Sequence, residues 1–397
     1  MRDSCDRGPA EEDRKMEIGM TVKGSQKSRQ LRVGVAGLRR GKGFVGVLAA
    51  HPGAELIAVA DLDSQVCGRV AGEFDVPRRC ADFDDLLRQE LDAIVIATPA
   101  PLHADQSIAA LEAGLDVLCE VPAVWNLEEA RALVHAVENS VGSYMLAENV
   151  NYLDRTVAWK QFIDDGHLGA IFYAEAEYVH DCGPLFTDAD GKPTWRASMP
   201  PIHYCTHSLG PLLAWTGDRC VSASGLHTGS RVRPDLGTID MEVGILQTAA
   251  GSVFKLLCGF SVVSEPARHW YCVYGTQGML ESGRSADSPD RGYIAARHEQ
   301  TTGPAADVVP AARRQLPPNA VGGGHGHSEW FLVDDWLSAL LAGTPPPIDV
   351  YAGLDMTLPG ICAHLSAQQG GQPVDILDPR AYSNPAGRAP APAAPAR

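Results

Sequence analysis

Between Leu31 and Asp61 the chain reads LRVGVAGLRRGKGFVGVLAAHPGAELIAVAD. Val33 and Val35, with the small Gly34 and Ala36, suit a strand covered on both faces, as in a parallel sheet. Gly37 ends it. From Phe44 to Ala50 the residues are too densely apolar for a surface loop and predict a helix lying on that sheet, stopped by His51-Pro52-Gly53. Leu56 to Ala60 predicts a second strand, with Asp61 at its tip. In such a unit, backbone N–H groups at the helix N-terminus cradle a pyrophosphate, and an acid roughly 20 residues past the glycines takes the ribose hydroxyls. The stretch therefore predicts a dinucleotide site, with Gly37, Leu38 and Arg39 at the phosphate turn and Asp61 at the ribose.

The glycine pattern departs from the usual one. Counting G-x-G-x-x-G from Gly37 puts Arg39 and Lys42 where the second and third glycines belong, and glycines stand instead at 41 and 43. A side chain at the second position hinders close approach to the diphosphate. The turn is thus expected to be displaced, or the coenzyme to sit farther out. Arg39 and Arg40 would suit a 2′-phosphate, but Asp61 would repel one, which favours NAD over NADP.

The alternation continues beyond Asp61. Asp82 to Arg88 predicts a short helix, Asp92 to Thr98 an apolar strand, His103 to Ala113 a helix stopped by Gly114, and Val117 to Cys119 a further strand before Glu120-Val121-Pro122. Strands alternating with helices give a doubly wound parallel sheet. Ligands of such sheets gather at the carboxyl ends of strands, so Thr98, Pro99, His103, Glu120 and Val121 fall where a nicotinamide riboside would lie. Turn chemistry alone also accounts for Thr98-Pro99 and Val121-Pro122. A helix from Leu127 to Ala136 and a strand ending near Glu148 and Asn149 complete this half.

Past Tyr152 the period changes. After a helix from Val157 to Asp164, IFYAEAEYVH alternates strictly, the mark of a sheet with one packed and one wetter face. Similar strands are expected at Ser222 to His227, Asp240 to Gln247, Ser252 to Phe260 and His269 to Gly275. Residues 285–325 read as a long Gly- and Pro-rich excursion, followed by helices from Ser328 to Leu341 and Tyr351 to Gln368. The expected organisation is a disordered leader over 1–30, with Met16 and Met20 as alternative starts, a dinucleotide-binding domain over 31–150, an α+β substrate domain over 151–380, and a disordered Pro/Ala-rich tail over 383–397.

Composition narrows the function. The 397 residues carry a net charge of −16, which opposes nucleic acid or an anionic membrane as main partner. No run of about 18 apolar residues predicts a spanning helix. Ten cysteines without C-x-x-C spacing fit reduced thiols in a cytoplasm. His203 and His207, four apart, with His325 and His327 elsewhere, admit a metal reading, but no carboxylate or thiolate spacing supports one, and no metal is expected.

The order strand-GLRRG-helix-strand-Asp61, then ATPAPLH, AGLDVLCEVPA, AENVNY and YCTHSLGPL, resembles the Gfo/Idh/MocA oxidoreductases over nearly all of residues 31–380. The resemblance implies an N-terminal Rossmann domain, a C-terminal α+β domain on an open, mostly antiparallel sheet that often mediates homo-oligomers, and a nicotinamide coenzyme serving hydride transfer at a sugar or cyclitol carbon. Two departures stand out. Val121 replaces the lysine of the usual Glu-Lys-Pro, which helps polarise the reacting hydroxyl, and His203 stands where an Asp commonly precedes the catalytic His by four. CEVPA, AENVNY, TWR, YCTHSLGP and the HGHSE of residues 325–329 look most like the branch with the NAD-dependent glycosidases, such as α-N-acetylgalactosaminidases. That branch implies Asp61, His103, Glu120, Val121 and Asn149 around NAD, with Tyr178, Arg196, Tyr204 and His207 facing the sugar.

Oxidising a secondary alcohol needs a base with a pKa near the working pH, which a histidine supplies. His207 is the expected base, with Tyr204 to polarise or relay. Three readings follow: an NAD-dependent oxidoreductase acting on a carbohydrate; a redox-neutral glycosidase that oxidises C3, acidifies the C2 proton, eliminates, hydrates and reduces; and, given the missing lysine, a non-catalytic sensor of NAD or a sugar.

Overall fold

The computed structural model describes residues 29–264, 268–285, 287–294 and 314–382. The expected leader, save its last two residues, and the expected tail lie outside the described residues, as does the middle of the 285–325 excursion.

The first half forms β1 (Leu31–Ala36), α1 (Leu38–Ala50), β2 (Ala54–Ala60), α2 (Ser64–Glu73), β3 (Arg78–Cys80), α3 (Phe83–Leu87), β4 (Ala93–Ile96), α4 (His103–Glu112), β5 (Asp116–Cys119), α5 (Leu127–Asn139) and β6 (Tyr144–Leu146). The six strands pair in the order β3-β2-β1-β4-β5-β6, every pair parallel. Val33, Val35 and the whole of β4 are fully buried, as the uninterrupted apolar strands require when helices cover both faces. Because β1 lies between β2 and β4, connections leave it in opposite directions and open a crevice at the strand ends. Helix α1 begins six residues earlier than Phe44. Asp63, Asp82 and Asn126 cap α2, α3 and α5 by accepting backbone N–H groups, a signal that was in the sequence for α2 but masked by its weak apolar pattern.

The second half adds α6 (Asp154–Asp164), β7 (Ile171–Val179), α7 (Thr206–Thr216), β8 (Cys220–His227), β9 (Met241–Thr248), β10 (Val253–Gly259), β11 (His269–Gly275), β12 (Gly278–Glu281), β13 (Arg291–Ile294), α8 (Ser328–Ala342), α9 (Val350–Gln368) and β14 (Val374–Asp375). The sheet order is β13-β12-β11-β7-β10-β9-β8-β14, antiparallel except between β10 and β7. Strand β13 falls inside the stretch read as an excursion. Glu175 and Glu177 stand on a central strand, where Lys255 pairs with Glu175 at 2.5 Å and Arg284 with Glu177 at 2.6 Å. Ala174, Ala176, Leu246, Phe254 and Leu256 are buried on the other face, against α7 and α9.

Helix α7 was not legible, because Gly210 and Pro211 lie inside it and both are poor helix formers. Each has a packing reason. A Cβ on Gly210 would come within 3.1 Å of Glu148 Cγ, so only glycine lets α7 cross the turn after β6 this closely. Pro211 lacks the N–H that would bond the carbonyl four residues back, and that carbonyl belongs to His207. The Tyr271 hydroxyl donates to it instead, at 2.6 Å.

Candidate active site

The crevice at the carboxyl ends of β1, β4, β5 and β6 faces α7. At its centre, the His207 Nδ1–H donates to Glu148 Oε1 at 2.7 Å, with both side chains buried. Glu148 follows β6 directly, and the same oxygen accepts the Val150 N–H at 3.0 Å. A carboxylate on Nδ1 fixes the tautomer, so that Nε2 carries the lone pair and can take a proton. The imidazole is anchored at its carboxylate, at its own carbonyl and by the buried wall of α7.

Aromatic rings surround it. Tyr178 and Tyr204 meet the His207 ring edge-on at centroid distances of 5.1 and 5.3 Å, and His269 does so at 5.8 Å. His269 lies flat against Tyr178, 4.7 Å away, and Phe260 packs edge-on to both tyrosines. Burial pushes the Tyr204 phenol up to about 12, offset in part by the Arg196 charge; burial likewise raises Tyr178. Both phenols are therefore hydrogen-bond donors at neutral pH. Burial, and then the His207 charge, lower His269 to about 3. Arg196 stacks on Trp195 at 4.4 Å and makes no ion pair among the described residues. His203 is neutral as well, lowered to about 3 by burial and then His364, and both its ring nitrogens are buried without a partner.

The coenzyme side is built on α1. Gly37 adopts φ +82°, and a Cβ there would come 2.5 Å from the Ala97 carbonyl oxygen. Helix α1 has no side-chain cap and no acid in its first turn. Its Leu38 N–H donates to Asp61 Oδ2 at 2.8 Å and its Gly41 N–H bonds Gly37, which leaves the Arg39 and Arg40 N–H groups without a protein acceptor among the described residues. Uncapped donors at a helix N-terminus fit a diphosphate, and Asp61 at the tip of β2 fits a ribose. The Leu38 N–H, expected at the phosphate turn, is thus taken up by Asp61. The packing role of the third glycine falls on Gly41, whose Cβ would meet Val35 Cγ1 at 3.0 Å, so the turn needs no displacement for α1 to lie on the sheet.

Arg39 is exposed and pairs with Asp63 at 3.4 Å, while Arg40 turns inward between Glu120 at 2.6 Å and Glu329 at 2.5 Å. With Arg40 committed there, the two-arginine case for a 2′-phosphate is lost. His325, at 3.2 Å, and Arg40 hold the buried Glu329 below the usual carboxylate range despite the opposing cost of burial. Val121, Glu120 and Asn149 are buried at the crevice floor, and Thr98 donates to Gln106 at 2.5 Å, with Pro99 exposed beside it. His103, expected near the coenzyme, is 1 % exposed, and both its ring nitrogens face backbone carbonyls. Among the described residues no group of three or more His, Cys, Asp or Glu is arranged to hold a metal.

The roles of Glu148, His269 and inward-turned Arg40 were not read from sequence. Glu148 had a signal, an acid directly after an apolar strand; His269 and Arg40 had none, because only the tertiary fold brings them to the crevice.

Fold and crevice together define a class, the NAD-binding Rossmann proteins that carry an open-sheet second half. Residues 31–147 match the family model described as "Oxidoreductase family, NAD-binding Rossmann fold". The chain belongs to the Gfo/Idh/MocA oxidoreductase family. A glycosyl hydrolase family 109 protein of Shewanella amazonensis is 30% identical over 383 residues, covering 85% of this chain and 82% of that protein. One from Saccharopolyspora erythraea is 25% identical over 388 residues, covering 88% and 83%. The fold is also that of levoglucosan dehydrogenase in complex with NADH and levoglucosan, with TM-score 0.74 and 20% identity over 88% of this chain and 99% of that one. Myo-inositol 2-dehydrogenase from Lactobacillus plantarum gives 0.71 and 20% over 88% and 100%.

Proposed function

We propose that the chain is an NAD-dependent oxidoreductase moving a hydride to or from a secondary alcohol of a sugar or cyclitol, with His207 as the base. The Glu148–His207 pair carries this reading. NAD, when bound, supplies the hydride acceptor. His207 Nε2 takes the hydroxyl proton, Glu148 stabilises the imidazolium so formed, and Tyr204 donates a hydrogen bond to the developing alkoxide in place of the missing lysine. Arg196 and Tyr178 bind the sugar. Gly37, Arg39, Asp61, Thr98, Pro99, Glu120, Val121 and Asn149 surround NAD, with residues 31–150 as the coenzyme half and 151–380 as the substrate half. The nine described cysteines, all buried thiols, support a cytoplasmic setting, and the uncovered face of the second sheet supports a homo-oligomer.

A second reading, the redox-neutral glycosidase, is favoured by similarity to glycosyl hydrolase family 109 proteins along most of the chain. The test is to incubate the purified protein with nitrophenyl glycosides and with free sugars while following 340 nm absorbance. NADH that accumulates with a free sugar supports the first reading. Aglycone release without NADH, from a protein whose NAD survives dialysis, selects the second. Either activity should vanish in His207→Ala, and turnover that persists there sinks both.

A further inference from the structure

His103 opens α4 and lies beneath the two loops that end β4 and β5. Its Nδ1 is 2.9 Å from the Pro122 carbonyl oxygen and its Nε2 is 2.9 Å from that of Thr98. A carbonyl oxygen only accepts. A neutral imidazole has one N–H and one lone pair, so in either tautomer one of these contacts would set lone pair against lone pair in a site that water does not reach. Two acceptors at hydrogen-bond distance are satisfied only when both nitrogens carry protons.

We infer that His103 is held as a buried imidazolium whose two N–H groups tie the loop after β4 to the loop after β5, and that this charged brace sets the spacing of the coenzyme's nicotinamide end. It is a positioning residue, resting on the proposed NAD chemistry: it touches only backbone, but Thr98, Glu120 and Val121 lie on the two strand ends it joins. The surroundings agree. Burial opposes the charge, yet the Cys119 sulfur and the two carbonyls raise His103 to about 9. Cys119 on β5 is the titratable group that faces it, with Tyr144 of β6 beyond. On its own helix, Asp105 in the first turn offsets the positive end of the α4 dipole. No carboxylate pairs with it among the described residues.

The sign follows directly. A histidine raised from 6.5 to about 9 keeps its tie in full below about pH 6.5 and loses it as pH climbs through about 9. The test uses the full chain with 15N-labelled histidine, without coenzyme, and then NADH titrations followed by fluorescence. At pH 7.5 one imidazole should show both nitrogens protonated where surface histidines are mostly neutral, and that signal should be missing in His103→Gln. Wild-type affinity for NADH should fall at least about tenfold from pH 7.5 to 10, while His103→Gln, whose donors share one nitrogen and do not titrate, should bind weakly and without that pH step. A single-proton tautomer at pH 7.5 overturns the inference, as does wild-type affinity that stays flat to pH 10. If His103→Gln does not fold, the wild-type spectrum and titration decide alone. A protein that shows the imidazolium but binds no NADH at any pH overturns the functional reading and, with it, the positioning role.

Discussion

At the scale of single residues the site depends on buried polar groups and the partners they meet. Glu148 holds the His207 tautomer with a carboxylate that cannot donate. In Glu148→Gln the amide can turn its NH2 toward Nδ1 and move the proton to Nε2, which removes the base. The expected result is a fall in kcat of about 10²-fold or more with NADH affinity within twofold of wild type, read by steady-state kinetics and fluorescence titration. His203 makes a different prediction. Its folded pKa is lowered from 6.5 to about 3, so the unfolded chain binds the extra proton first and the neutral ring's stability is lost as pH falls from about 6.5 towards 3. His203→Phe, which keeps the ring packed between Trp125 and His364, should flatten the decline of the urea midpoint over that window. A decline as steep as wild type's would show that His203 contributes nothing to it.

At the scale of elements, α1 is fixed in its first turns. Gly37 lets the chain turn beneath the Ala97 carbonyl, and Arg40 links the helix to Glu120 and to Glu329 at the start of α8. Gly43 allows the 322–324 backbone to cross, since a Cβ there would stand 2.6 Å from the Gly324 nitrogen. Gly37→Ala must leave a left-handed conformation or collide with Ala97. It should cost about 2 kcal/mol or more and abolish NADH binding, with thermal denaturation and fluorescence titration as the measurements. The α8 tie also explains why HGHSE sits where it does: His325 and Glu329 act on the coenzyme helix from far along the chain.

At the scale of the whole molecule, the second sheet buries one face and, among the described residues, leaves the other open. Ile245, Val253, Leu226 and Tyr274 are exposed there, and the ion pairs of Lys255 and Arg284 lie among them. Exposed apolar positions clustered on a flat sheet mark an interface. Sedimentation should find an oligomer, and Ile245→Lys with Val253→Lys should shift it to smaller species. Because α7 packs on the opposite face, NADH affinity should be unchanged in that variant.

Much of this was written in the sequence, because it depends on local pattern. Buried parallel strands read as apolar runs, β7 as strict alternation, and Asp61, Glu120 and His207 as chemistry-bearing residues at element ends. Other features came from contacts between residues distant in sequence, which no local pattern encodes. Helix α7 keeps a glycine and a proline that propensity disfavours, because Glu148 must pass close and Tyr271 can replace the lost donor. Arg40 turns inward because Glu120 and Glu329 meet it there, and His103 lies beneath the loops because two carbonyls converge on its ring. The sequence alone therefore determined which strands are buried and which acids and histidines stand at element ends. Only the tertiary structure decided each one's partner, since a buried polar group is set by whatever group the fold brings within hydrogen-bond distance of it.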